Sequence, residues 1–167
     1  MYEVSPGLKK TAVLCLLFSE EGLLLIKRAK DPHKGEYIPV GGKVDPFEDP
    51  HTAVIREVME ETGLTLSLDQ VKFAGVLTET SPVKFNWVNF VYSANIKVFT
   101  PPVIEEGELS FIPLKDIQNL PTPETDRFIY QFVASNRIFM LNARYDSDLK
   151  LISLTEEIKN DILDIRP

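Results

Sequence analysis

Apolar and polar residues alternate in blocks along the first thirty positions. "TAVLCLLF" (residues 11–18) and "LLLIKR" (23–28) are apolar runs of strand length, and the polar "SEEG" between them closes at Gly22. That pattern predicts a β-hairpin. A polar loop, "AKDPHKGE", leads to "YIPVGGKV" (37–44), a short predicted strand carrying the glycine pair Gly41-Gly42. Asp49 followed by Pro50 is the chemistry of a helix start, a capping carboxylate and then proline at the first helical position. The predicted helix runs from about Pro50 to Thr62 and ends at Gly63.

Beyond the helix, "VKFAGVLTET" (71–80) and "FNWVNFVYSANIKVF" (85–99) are rich in aromatic and β-branched residues, with a turn at Ser81-Pro82. Both are predicted strands. "LSFIPLKDI" (109–117) then turns off the sheet. In "TPETDRFIYQFVASN" (122–136), Thr122 reads as a cap, Pro123 as the first helical position and Phe128, Ile129, Phe132 and Val133 as the apolar stripe of a second helix. "RIFMLNARY" and "LKLISL" are predicted strands, and the last dozen residues suggest a short helical tail. Strand and helix signals are interleaved without internal repeat, linker or composition break, which predicts one domain over residues 1–167.

Composition narrows the partners. With 167 residues, 44% hydrophobic and 26% charged, the chain has the makeup of a globular domain with a sizeable core. A net charge of −7 opposes broad binding to a nucleic-acid polymer or an anionic membrane, so an anionic ligand would need cations to help. The one cysteine, Cys15, lies in an apolar run and is expected to be a buried core thiol. The apolar stretch after "MYEVSPGLKK" is too short for a signal-peptide core or a membrane span, which makes a cytoplasmic location the default expectation.

The first helix carries an apparent fault. Glu57, Glu60 and Glu61 occupy its last turns, where carbonyl dipoles disfavour negative charge, and Glu57 and Glu61 repel at spacing four. On a helical wheel at ~100° per residue, Ala53, Arg56, Glu57, Glu60 and Glu61 fall within about 140°. The opposite arc holds His51, Val54, Ile55, Val58, Met59 and Thr62. A merely solvated face would gain from lysines at spacing four, and there are none. Ala53 reads as a position cleared for something small and positive. Clustered carboxylates suit Mg²⁺ or Mn²⁺, which bridge them to substrate phosphates.

From Gly42 the spacing is Gly42, five residues, Glu48, seven residues, Arg56-Glu57-Val58, one residue, Glu60-Glu61, one residue, Gly63-Leu64. This resembles the complete Nudix box, over residues 42–64. A chance match at seven defined positions is on the order of one in a billion at ~1/20 each. The resemblance to Nudix hydrolases implies an α/β/α sandwich around a mixed β-sheet, in the α/β (α+β) class. It also implies metal-dependent cleavage of a nucleoside diphosphate linked to a further group. By that resemblance Glu57, Glu60 and Glu61 are metal ligands, with Glu57 also a candidate base. Arg56 orients them, the Gly41 carbonyl is a further ligand, and Glu48 supports or joins the site.

Outside the box the chain is similar to the MutT-type nucleoside triphosphate pyrophosphohydrolases, including those acting on 8-oxo-dGTP. "KGEYIPVGGKV" resembles the segment leading into the box there, with Tyr37 where tryptophan is frequent. "EEGELSFIP" resembles the segment that brings one more glutamate to the metals, best matched by Glu106 and next by Glu105. "PTPETDRF" resembles a segment that presents acidic side chains to a purine, with Asp126 first and Glu124 second. Lys27 and Arg28 are candidate phosphate contacts, and Trp87, Asn89 and Phe90 candidates for a base pocket. The expected partner is a purine nucleotide, the expected assembly a monomer or homodimer. Other nucleotides, such as ADP-ribose, a dinucleoside polyphosphate or a coenzyme, are the alternative substrates. A module that senses a nucleotide without cutting it is the remaining alternative, one disfavoured by the complete set of box glutamates.

Overall fold

A computed structural model describes residues 3–165. Its ten strands are β1 (Lys10–Ser19), β2 (Gly22–Arg28), β3 (Tyr37–Ile38), β4 (Val40–Lys43), β5 (Lys72–Thr80), β6 (Trp87–Asn95), β7 (Gly107–Ile112), β8 (Phe139–Tyr145), β9 (Leu151–Glu156) and β10 (Asp161–Ile162). Two helices join them, α1 (Pro50–Thr62) and α2 (Glu124–Ala134). The sheet runs β10-β9-β8-β5-β6-β1-β2-β3, with β4 on β1 and β7 on β2. It is mixed, because β1 pairs with β6 and β5 with β8 in parallel while the other pairs are antiparallel.

The unbroken apolar runs of the hairpin follow from burial on both faces. Val13, Cys15, Leu17, Leu24 and Ile26 point into one core with Val54 and Val58 of α1. Leu16, Leu23 and Leu25 point into the other, with Ile129, Phe132 and Val133 of α2. One helix therefore covers each face, giving the expected three-layer arrangement. Cys15 is fully buried, and burial alone pushes its thiol up to about 12.

Several boundaries differ from the sequence pattern. "YIPVGGKV" forms two strands: Tyr37–Ile38 pairs with β2 and Val40–Lys43 with β1. β6 stops at Asn95, leaving 96–99 irregular, with Ile96 and Phe99 packed on the α1-side core. The predicted helical tail is instead a turn and the two-residue β10, because Glu156 accepts the backbone N–H groups of Ile158 and Lys159 and turns the chain back onto β9. Residues 166–167 of that tail, and Met1 and Tyr2 at the other end, lie outside the described residues. Thr122 does not cap α2, which begins at Glu124 behind Pro123. Its hydroxyl donates to the Tyr37 carbonyl at 2.6 Å and meets the Tyr130 hydroxyl at 3.2 Å, fastening the start of α2 to β3.

Candidate active site

Helix α1 forms where the local chemistry specifies it. Asp49 accepts from the Thr52 N–H at 3.0 Å, and Gly63, in the left-handed region at φ 76°, returns its N–H to Met59. The wheel prediction needs two corrections. Ala53 is completely buried in the α1-side core, so the gap it leaves in the acidic arc is filled by protein rather than cleared for an ion. Met59, assigned to the core side, is 49% exposed, whereas Glu61, on the acidic side, is only 8% exposed. The buried stripe is thus rotated toward the carboxylates, because α1 packs onto β4 and β1 with Ala53 at the contact.

Arg56 organises the acidic face. Its Nε and Nη2 donate to the two oxygens of Glu48 at 2.9 and 2.8 Å, and Nη1 donates to Glu57 Oε1 at 2.8 Å. Glu60 is a looser partner at 3.4 Å, and Nη2 also reaches the Lys43 carbonyl at 3.0 Å. Hydrogen bonding to Arg56 holds the Glu48 carboxyl below the usual range. For Glu57, burial outweighs Arg56 and raises the carboxyl. The Glu57 carboxylate lies directly over Gly42, where an added Cβ would come within 2.5 Å of it. Only glycine leaves that space.

Glu61 stands apart from the arginine. It accepts the Gly41 N–H at 3.0 Å and has no ion-pair partner among the described residues. Burial, followed by a hydrogen bond and charge repulsion from Glu106 and the charge of Glu57, pushes its pKa up to about 9. Glu106 thus reaches the box from the turn before β7. Its neighbour Glu105 faces away into an exposed ion pair with Lys30. Among the described residues no three His, Cys, Asp or Glu side chains converge closely enough to hold a metal ion as they stand. The donor set nevertheless fits a hard divalent cation: Glu57, Glu61 and Glu106 offer only oxygen, they repel one another, and no positive group compensates Glu61. Gly41, expected to lend its carbonyl, is seen here through its N–H bond to Glu61.

The other predicted residues separate by exposure. Arg28 is occupied by its own loop, donating to the Pro32 carbonyl at 2.7 Å, while the Lys27 ammonium sits 5.7 Å from the Tyr37 ring centre. Glu124 points to solvent and Asp126, two positions on, is buried. Asn89 is buried on β6, and Trp87 is half-buried on the same face of that strand. Phe90 points to the opposite face and packs on the α1-side core. Asn89 donates to Glu79 Oε2 at 3.0 Å. Glu79 went unnoticed in the sequence, although a signal existed: it is a carboxylate at an inward position of β5, two after the buried Leu77.

Comparison with known proteins is consistent with this geometry. The NUDIX domain family model matches residues 8–133. An uncharacterised Nudix hydrolase of Bacillus subtilis is 31% identical over 71% of this chain and 75% of its own length. The MutT NUDIX hydrolase structure from Burkholderia pseudomallei is 29% identical, covering 75% of this chain and 98% of that one at a TM-score of 0.65. The MutT protein structure from Bacillus halodurans covers 89% of this chain and 98% of that one at a TM-score of 0.75, with 22% identity, and shows likeness of fold.

Proposed function

The chain belongs to the NUDIX domain family and is a Nudix pyrophosphohydrolase, and from that premise we propose that it cleaves purine nucleoside triphosphates, oxidised or normal, to the monophosphate and pyrophosphate with Mg²⁺. Nudix hydrolases use divalent metal ions; Mg²⁺, or Mn²⁺ in its place, suits the all-oxygen donors of this site. The observation that carries the reading is the set of Glu57, Glu61 and Glu106, brought together from helix and turn, beside a guanidinium already committed to Glu48 and Glu57.

Glu57, Glu61 and Glu106 would hold the metal, with Glu60 at the exposed margin. Glu48 would support the site from behind Arg56 rather than bind the ion, since both of its oxygens accept from the guanidinium. A bound divalent ion would supply charge neutralisation at the phosphoryl oxygens and acidify the attacking water. The protein's own part is to aim the carboxylates and to take the proton. Glu57 is the better placed base, because Arg56 fixes its orientation while burial raises its basicity. Lys27, exposed at the end of β2, would meet phosphate, and Trp87, Asn89 and Asp126 would receive the base. β4, which carries Gly42, and β6, which carries Asn89, flank β1, and Ala12 pairs with both Lys43 and Asn89. Gly42, under Glu57 on the α1 face of the sheet, and Asn89, on its α2 face, are therefore carried to the same end of β1.

Initial rates on dGTP, 8-oxo-dGTP, dATP, ADP-ribose and a dinucleoside tetraphosphate, each with Mg²⁺ and with EDTA, test the reading. Metal-dependent release of pyrophosphate and monophosphate from the purine triphosphates is expected. Turnover confined to ADP-ribose or the dinucleotide would overturn the substrate assignment.

A further inference from the structure

The floor under α2 changes character along one row. Leu77, Val91 and Ala143, on the adjacent strands β5, β6 and β8, are buried in the α2-side core. Two positions away on the same face of each strand stand Glu79, Asn89 and Tyr145. The Tyr145 hydroxyl donates to Glu79 Oε1 at 2.8 Å and the Asn89 amide to Oε2 at 3.0 Å, so three strands fix one carboxylate. Glu79 is 9% exposed and has no ion-pair partner among the described residues; the nearby Lys9 ammonium donates instead to its backbone carbonyl and to Thr80.

Above this row the first turn of α2 brings in Asp126. It is 7% exposed, and among the described residues no hydrogen bond reaches its carboxylate; only its backbone N–H is bonded, to Pro123. Burial first, then the charges of Glu79 and Glu36, raise its pKa well above the ordinary value. A buried carboxyl without donors is costly. Glu79, which Tyr145 and Asn89 hold in place, and Asp126, which no hydrogen-bond donor reaches among the described residues, thus both offer acceptor oxygens to this pocket. Trp87, opposite Glu79 in register and half-buried, offers a flat wall beside it.

We propose that Glu79 is a specificity-determining residue of this pocket and that, with Asp126, it accepts the ring N–H and exocyclic amine of a guanine-type base edge. This rests on the nucleotide reading of the site given above. A guanine edge presents adjacent donors, whereas hypoxanthine has the ring N–H without the amine, and uracil and thymine flank their one N–H with carbonyls that carboxylates repel. The exocyclic amine is therefore the group the pair reads.

Titration calorimetry with dGMP and dIMP, which uses neither the metal nor the hydrolytic step, tests it. The wild-type protein is expected to bind dGMP at least tenfold more tightly than dIMP. Both Glu79→Gln and Asp126→Asn should weaken dGMP binding, and whichever of the two removes the acceptor of the exocyclic amine should reduce that ratio to below about threefold. Equal affinities in the wild type, binding of neither nucleotide, or a ratio unaltered in both variants would overturn the proposal. The wild-type ratio decides even if a variant fails to fold. Failure here would leave the hydrolytic reading standing, because that reading is tested at Glu57.

Discussion

Arg56 grips Glu48 with two hydrogen bonds, at 2.9 and 2.8 Å, and uses its remaining nitrogen on Glu57 at 2.8 Å. A planar fork is needed to serve two carboxylates on different sides, and lysine has no such fork. Arg56→Lys should therefore lower kcat by about 10–100-fold, the range for lost support of a metal-site ligand. Helical content should be unchanged, because Arg56 lies on the outer face of α1. Steady-state kinetics and circular dichroism on the same preparation check both halves.

The adjacent glycines of β4 should fail in different ways. A Cβ at Gly42 would meet the Glu57 carboxylate at 2.5 Å, the far end of a side chain that can move. A Cβ at Gly41 would meet the Val13 carbonyl oxygen at 2.1 Å, which is backbone. Gly42→Ala is expected to keep most of its stability and lose most of its activity. Gly41→Ala is expected to lose stability first, which thermal unfolding and turnover measured in parallel will separate.

Glu61 gives a pH dependence of defined sign. Its carboxyl titrates at about 9 when folded and in the ordinary carboxylate range when unfolded. Between those values the folded state holds the extra proton, so stability falls as pH rises. Without metal, Tm should be lower at pH 8 than at pH 6, and Glu61→Gln should flatten that slope. Added Mg²⁺ should release protons on binding and raise Tm more at pH 8, measurable by calorimetry in buffers of different ionisation enthalpy.

Thr122 ties α2 to β3 through the Tyr37 carbonyl and the Tyr130 hydroxyl. Thr122→Val keeps the shape and removes the hydroxyl. A loss of about 1–3 kcal/mol is expected for stranding buried partners, and a drop of a few degrees in Tm would show it.

The limits of α1 were readable because capping is local: Asp49, Pro50 and Gly63 act within four residues of their partners. The box glutamates were readable because their spacing is itself the signal. Thr122 was misread because the Tyr37 carbonyl it bonds is 85 positions away, and no short pattern announces such a contact. Glu105 and Glu106 are neighbours in a turn, and only the fold shows one facing Lys30 and the other Glu61. Glu79 escaped for a related reason. Its partners Asn89 and Tyr145 lie on two other strands, so its isolation from cations appears only once the sheet is assembled.

If the ordered carboxylates of α1 drive metal-dependent hydrolysis, Glu57→Gln abolishes it without unfolding the protein. The amide keeps the size of the side chain and removes the basic oxygen, so the purified variant should retain its wild-type circular dichroism spectrum. With dGTP and saturating Mg²⁺, kcat should fall at least a hundredfold, the lower range for loss of a general base. Turnover within a few-fold of wild type, in a variant with that same spectrum, would contradict the account.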